Sequence, residues 1–277
     1  MTALSGSEFD WSAFAGSLLF TLGAVAVVLA ATFLVALRVG KHAVVDVAWG
    51  LGFAAIALTS YAVSSLSTAD SAPARGLLVT VLTVAWGLRL AVHIGLRSRG
   101  KGEDPRYEEL LAKAKGNQEL FVLTRVYLTQ GVLMWFVSLP VQVAAFETPP
   151  LGIVAWAGVV VWLVGFTFET VGDRQLQRFR DDPANKGAVL DTGLWHYTRH
   201  PNYFGDACAW WGISLVAFSA WPGVLTILSP LLMTWLLAKG TGKPLLERSI
   251  SSRRPGYEDY VRRTSGFIPL PPRRSTT

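Results

Sequence analysis

Long apolar segments dominate this 277-residue chain and restrict it to few folds. Seven of them lie near residues 14–37, 44–66, 75–96, 124–145, 151–171, 205–220 and 222–238. The first five are long enough to cross a hydrocarbon core of about 30 Å as helices rising about 1.5 Å per residue. The last two are short and are separated only by Trp221, Pro222 and Gly223, which predicts a helical hairpin. The pattern predicts an all-α, polytopic integral membrane protein with about seven transmembrane helices.

The composition agrees with a membrane location. The chain is 51% hydrophobic and 16% charged, with a mean hydropathy of +0.38, whereas soluble domains carry about 25% charged residues. Its single cysteine, Cys208, excludes an intrachain disulfide and a thiolate-rich metal site. The four histidines show no ligand spacing on a clear helix face, so no metal site is predicted.

The basic residues predict the orientation. Of the 25 Lys and Arg residues, 22 fall in alternate loops or after segment seven, while the opposite loops are mostly acidic. Cytoplasmic loops carry such an excess of cations, so we expect an outside N-terminus, a cytoplasmic C-terminus and seven crossings. No cation precedes Arg38, which favours a retained first span over a cleaved signal peptide. The cations are spread over four loops, which argues against nucleic-acid binding. We expect one domain over 1–270 and a disordered tail over 271–277.

Ionisable residues inside or at the ends of the apolar segments are the first candidates for function, because burying charge in a bilayer is costly. Five of them lie towards the predicted cytoplasmic side, namely Asp46, Arg89, Glu169, Asp173 and Asp206. A polar cavity that opens to the cytoplasm would explain the set.

Each of these residues also has a simpler interpretation. Asp46 can cap a helix at the interface, and Arg89 can extend to the head groups. Glu169 and Asp173 can pair with nearby arginines. The cytoplasmic loops also hold arginines and tyrosines, which suit the phosphates and base of an adenine nucleotide but also suit lipid head groups.

One stretch carries a family resemblance. Residues 193–206 read GLWHYTRHPNYFGD, and two further stretches agree with it, RSRGKGEDPRY at 97–107 and RRPGYEDYVRRTSGFIP at 253–269. Together they resemble the steroid 5-alpha-reductase family, and most closely its bacterial branch, over about residues 44–270. The Arg-His-Pro-Asn-Tyr element is also similar to isoprenylcysteine carboxyl methyltransferases.

The resemblance implies a seven-helix enzyme of a bacterial inner membrane that uses NADPH to reduce a conjugated C=C in a steroid-like or other apolar lipid. It implies cofactor contacts by nine residues: Asp173, Arg180, Arg199, His200, Asn202, Tyr203, Asp206, Tyr257 and Tyr260. Members of that family hold the substrate ketone with a Gln-Glu pair in helix two and a Tyr in helix three. Here the corresponding regions offer Asp46 and Arg89, which we expect to be catalytic.

In the expected reaction, hydride from NADPH reaches the β-carbon of an enone, and negative charge builds on the carbonyl oxygen. Arg89 or a protonated Asp46 would stabilise that charge. Two other functions stay open. One is a lipid or isoprenoid methyltransferase that uses S-adenosylmethionine, and the other is a non-catalytic transporter or lipid-binding protein. The sequence predicts neither the oligomeric state nor whether Glu247 and Arg248 belong to the site or only form a surface ion pair.

Overall fold

A computed structural model describes residues 9–67, 74–240, 247 and 254–273. These residues are mostly helical and contain no strand; one isolated bridge joins Thr198 and Ser265. They fall into two compact units. The first holds 9–67, 74–155 and 216–229, and the second holds 156–215, 230–240, 247 and 254–273. Residues 274–277 of the predicted tail lie outside the described residues, and the single-domain assignment stays a prediction.

The first unit contains the first seven helices. They are α1 (Trp11–Val39), α2 (Val45–Ser67), α3 (Ala74–Ser98), α4 (Pro105–Leu111), α5 (Gln118–Val122), α6 (Leu128–Val137) and α7 (Leu139–Ala144). A π-helical turn, Leu123–Tyr127, joins α5 to α6. The Asp10 carboxylate accepts from the backbone N–H groups of Ser12 and Ala13 and so caps α1.

Helices α2 and α3 pack antiparallel at very short range in the first unit. A methyl group at Gly50 would lie 2.1 Å from the Gly87 carbonyl oxygen. Nearer the other end of the pair, the Thr80 hydroxyl donates to the Ala57 carbonyl at 3.3 Å. Membrane helices approach this closely only where both carry small residues, so these glycines set the register of the pair.

The second unit is built on α8 and α9. Helix α8 (Ile153–Asp181) begins in the first unit and continues through the second. The short helices α10 (Leu228–Ala238) and α11 (Tyr257–Arg263) follow α9 (Pro201–Phe218). Helix α9 starts at Pro201, where a missing N–H costs nothing.

Five helices of the described residues are long and apolar enough to cross a membrane, and a shorter apolar segment spans Gly223–Ala238. The five are Trp11–Val39, His42–Ser67, Ala74–Ser98, Gln118–Val137 and Ile153–Asp181. The prediction of an all-α membrane protein is confirmed at this level. Two boundaries differ from expectation: the fourth apolar segment is interrupted at Ser138, just before Pro140, and α8 runs ten residues past its apolar part.

Candidate functional site

A seam of glycines joins α8 to α9 in the second unit. A methyl group at Gly205 would lie 2.4 Å from the Glu169 amide nitrogen and 2.5 Å from the Gly165 carbonyl oxygen. One at Gly212 would lie 2.6 Å from the Gly158 carbonyl oxygen. The glycines recur every seven residues on each helix, so the contact runs along one face of each. The two backbones therefore touch with no side chain between them.

The seam brings buried polar side chains to the same helix interface. Glu169 and Asp173 flank the contact on α8, and Asn202 and Asp206 flank it on α9. The Asn202 amide donates to the Asp173 carboxylate at 3.1 Å. Glu169, Asp173 and Asp206 are 3%, 6% and 8% exposed. Because burying a carboxylate is costly unless it is paired, three of them at one helix interface mark it as a candidate site.

The Arg-His-Pro element before α9 is tied to Glu247. The Glu247 carboxylate accepts from the Arg199 Nε at 2.8 Å and lies 3.0 Å from the His200 Nε2. Burial opposes ionisation of Glu247, but the hydrogen bonds from His200 and Arg199 prevail and lower its pKa to about 2. The Tyr203 ring stacks on the His200 ring with centroids 5.4 Å apart. One carboxylate thus orients a cation, an imidazole and, through it, a phenol.

The C-terminal segment wraps around the same element. The Arg199 guanidinium donates to the carbonyls of Thr264 at 2.6 Å and Val261 at 3.1 Å. The Thr198 hydroxyl donates to the Phe267 carbonyl at 2.8 Å. The Tyr260 hydroxyl donates to the Trp195 carbonyl at 2.5 Å. These donors bind protein acceptors, so Arg199 and Tyr260 order the segments around the interface.

Tyr257 is buried beside this cluster. Burial raises the pKa of its phenol to about 12, and the nearby Glu247 carboxylate adds to the effect. Its ring centroid lies 6.0 Å from that of Tyr260. The phenol is therefore neutral at physiological pH and can serve as a hydrogen-bond donor.

A basic pocket of about 290 Å³ lies at the surface of the second unit. Its lining comprises Phe179, Arg180, Asp182, Pro183, Asn185, Lys186, Gly187 and Arg254. Arg180 occupies the last turn of α8, seven residues after Asp173. The structure therefore places Arg180 in a pocket with other cations. This pocket lies at the C-terminal end of α8, beyond the buried carboxylates.

Asp46 begins a separate polar cluster in the first unit. Its carboxylate accepts from the Tyr107 hydroxyl at 2.6 Å and from the Arg106 guanidinium at 2.9 Å. Burial, followed by the Asp46 charge, raises the pKa of Tyr107 well above its usual range. On the same helix, the Trp49 indole donates to the Gln130 side chain at 3.0 Å. The contacts of Arg106 and Tyr107 with Asp46 fasten helix α4 to the start of α2.

Arg89 lies close to the same level of the helix pair. It follows Gly87 by two residues on α3, while Asp46 precedes Gly50 by four residues on α2. Because the helices are antiparallel, both residues fall on the same side of the Gly50–Gly87 contact, offset by about 3 Å along the axes. The two predicted catalytic residues therefore share one end of the α2–α3 pair.

The structure groups most of the predicted residues and adds three. Asp173 joins Asn202. Arg199 and His200 contact a common carboxylate, and Tyr203 stacks on His200. Sequence reasoning left Glu247 open and did not single out Arg106 or Tyr107, although both lie in the GEDPRY stretch that carries the resemblance. Their pairing with Asp46 spans some 60 residues of chain, a separation that no local pattern reveals.

Comparison with known proteins gives a family. The model of a family described as protein of unknown function (DUF1295) matches residues 32–264. No curated protein and no solved structure gives a significant match. The matched range includes α2, α3, α8 and α9 and ends just after α11, so it holds all of the predicted site residues. Because the match covers most of the chain, the protein belongs to the DUF1295 family.

Proposed function

We propose that the protein is a membrane-embedded oxidoreductase that uses NADPH to reduce a conjugated C=C bond of an apolar lipid or steroid-like substrate. The observation that carries the proposal is the Asp173–Asn202 hydrogen bond at the glycine seam. It joins two residues that lie in separate helices. Each of the two residues matches a cofactor-contacting position of the steroid 5-alpha-reductase family.

The residues present in the second unit suit this cofactor. Asn202 and the buried carboxylates offer the donors and acceptors that a nicotinamide amide and ribose hydroxyls require. Tyr203 and Tyr257 offer aromatic faces. Arg180 and its neighbouring cations suit phosphate groups, which guanidinium binds through two parallel hydrogen bonds. We assign cofactor binding to Asp173, Arg180, Asn202, Tyr203, Asp206 and Tyr257, and the ordering of their surroundings to Arg199, His200 and Tyr260.

The residues of the first unit are assigned to the substrate. When bound, the cofactor would supply the hydride, and the protein supplies its position and the electrostatic environment. The protein has to stabilise the charge that builds on the substrate carbonyl oxygen, and Arg89 is our candidate for this role. Both partners of Asp46 donate to its oxygens, so we give Asp46 the role of holding Arg106 and Tyr107 in place.

The proposal includes the finer topology. The short helices after residue 201 complete seven crossings, with the N-terminus outside and the C-terminus in the cytoplasm. This orientation places the basic pocket and the 197–203 element on the cytoplasmic side, where the nucleotide is. The resemblance to a bacterial branch favours the bacterial inner membrane as the location.

Binding by the purified full chain in detergent tests the proposal. Isothermal titration should give one NADPH per chain, and Arg180→Ala should weaken binding about 10- to 100-fold, the loss of one hydrogen bond to a charged group. Arg178→Ala is the matched control, because Arg178 lies on the same helix outside the pocket lining. Binding of S-adenosylmethionine without NADPH would replace the reductase by a methyltransferase, and binding of neither would favour a transporter or lipid-binding protein.

A further inference from the structure

The basic pocket of the second unit has a charge that points to a particular ligand group. Its lining holds three cationic side chains, Arg180, Lys186 and Arg254, against one carboxylate, Asp182. The lining therefore carries a net charge of +2 when all four groups are ionised. A phosphate monoester carries about −1.5 to −2 near neutral pH, so such a group would neutralise the pocket.

Local hydrogen bonds shape the pocket in advance. The Asp182 carboxylate accepts from the Ala184 backbone N–H at 2.9 Å and so caps the short turn Pro183–Asn185. The Asn185 amide donates to the Phe179 carbonyl at 3.1 Å. The Arg254 guanidinium donates to the Ala188 carbonyl, which fastens residue 254 to this loop. A site that is ordered before binding loses less entropy when its ligand arrives.

The size of the pocket limits what it can hold. Ligand pockets commonly enclose about 300–1,000 Å³, and this one encloses about 290 Å³. It suits a charged terminal group with its immediate neighbours and is too small for a whole dinucleotide. We propose that the pocket binds a terminal phosphate monoester, held by Lys186 and Arg254 together with Arg180.

Two sources of this group are considered for a membrane protein. One is the 2′-phosphate that distinguishes NADPH from NADH, and this source rests on the proposed function. The other is the head group of a phosphatidic acid. In the first case Lys186 and Arg254 determine coenzyme specificity, and in the second they dock an anionic lipid.

Titration with paired nucleotides tests the first source. In detergent, the full chain should bind NADPH more tightly than NADH. Lys186→Gln and Arg254→Gln should each weaken NADPH binding about 10-fold or more and leave NADH binding unchanged. Lys113→Gln and Arg99→Gln remove the same charges from exposed positions of the first unit and should change neither affinity. Lys186→Arg, which keeps the charge, should retain the preference for NADPH.

Lipid titration tests the second source with the same variants. Short-chain phosphatidic acid, compared with phosphatidylcholine, should raise the unfolding temperature of the wild type, because a ligand of the folded state stabilises it. The Lys186→Gln and Arg254→Gln variants should lose this shift while their NADPH binding stays intact. If the chain binds no dinucleotide, the proposed function fails, and the phosphatidic acid titration still decides the pocket.

One result overturns the pocket proposal. In that result, each variant binds NADPH and NADH with the same affinities as the wild type. Phosphatidic acid also shifts the unfolding temperatures of all three proteins equally or not at all. The charge reversals Lys186→Glu and Arg254→Glu check this result, since a phosphate held in the pocket would be repelled by either. Equal unfolding temperatures without ligand establish that these exposed-loop variants remain folded.

Discussion

Single side chains in this protein hold distant segments together, and Glu247 is the clearest example. Its carboxylate contacts both Arg199 and His200 at hydrogen-bond distance. The resemblance to the steroid 5-alpha-reductase family implies that those two residues contact a cofactor. The Arg199 guanidinium is 8% exposed and bonded to protein oxygens. These contacts give Arg199 a role in ordering the C-terminal segment, while its contact with a cofactor stays a prediction.

Replacing this carboxylate should therefore weaken the fold. We expect Glu247→Gln to lower the free energy of unfolding at pH 7 by about 1.5–3 kcal/mol, the range for hydrogen bonds to charged groups. Chemical denaturation in detergent measures the change. Glu258→Gln, at an exposed position in the first turn of α11, is the control and should leave stability unchanged.

The same substitution should change the pH dependence of stability. The folded state lowers the pKa of Glu247 from 4.5 to about 2, so its contribution is fully present above pH 4.5 and is lost as the pH falls towards 2. The stability difference between wild type and Glu247→Gln should shrink over that window. A difference that stayed constant from pH 7 to pH 3 would show that the ionised carboxylate does not supply the stabilisation.

The Asp46–Tyr107 contact makes a second prediction at this scale. A hydrogen bond to a carboxylate is stronger than one between neutral groups, so Asp46→Asn and Tyr107→Phe should be coupled. A double-mutant cycle on the free energy of unfolding should give a coupling of about 1–3 kcal/mol. Tyr61→Phe, on the same helix as Asp46, replaces Tyr107→Phe in the control cycle and should give additive effects. Additivity in the first cycle as well would contradict the contact.

At the scale of elements, apolar length predicts where helices run but not how closely they pack. Each of the first five predicted segments overlaps a helix long enough to cross a membrane, although the fourth helix begins and ends earlier than predicted. Helix α8 continues beyond its apolar part to Asp181 because its polar last turns, QLQRFRD, still favour helix. The seven-residue spacing of the glycines is visible in the sequence. Which helix each glycine faces becomes clear only when both helices are placed.

The glycine seam predicts strong sensitivity to a single methyl group. Gly205→Ala would push a Cβ to within 2.4 Å of the α8 backbone, and backbone atoms cannot move aside without separating the helices. We expect a loss of about 1–3 kcal/mol or more of stability, as for other overpacked sites, together with weaker NADPH binding. Thermal unfolding and nucleotide titration in detergent measure the two effects.

Helix α1 provides the matched control for this substitution. A methyl group at Gly16 or Gly23 would have no atom within 4 Å, and alanine is the better helix former by about 0.5–1 kcal/mol. Gly16→Ala and Gly23→Ala should therefore leave stability unchanged or raise it. If Gly205→Ala behaved like these two variants, the close approach of α8 and α9 would be refuted.

At the scale of the whole molecule, the sequence predicts the membrane location more reliably than the functional site. Apolar length and the distribution of cations indicate a membrane protein, because the first follows from transfer energies of single residues and the second from the excess of cations in cytoplasmic loops. The contacts of Asp46 with Arg106, or of Arg199 with Glu247, depend on chain segments 48 to 60 residues apart. Such pairs form only when the helices pack, so the sequence could nominate Asp46 and Arg199 without naming their partners.

The number of membrane crossings can be measured at this scale. It depends on which side of the membrane the tip of the hairpin before Gly223 reaches. With Cys208 replaced by serine, single cysteines can be placed one at a time and labelled in cells by a membrane-impermeant maleimide. Thr148→Cys should react from outside, whereas Lys113→Cys and Lys186→Cys should react only after the membrane is opened. Reaction of Thr148→Cys and Lys113→Cys from the same side would contradict the orientation itself.

Trp221→Cys separates seven crossings from five. Trp221 is 64% exposed and lies between the two short apolar segments. If both segments cross, its cysteine reaches the outer surface and reacts in intact cells as Thr148→Cys does. With five crossings, all of the chain after α8 stays on the cytoplasmic side or within the inner leaflet, and the cysteine is protected until the membrane is opened. Seven crossings follow from the alternating cations, so we expect reaction in intact cells.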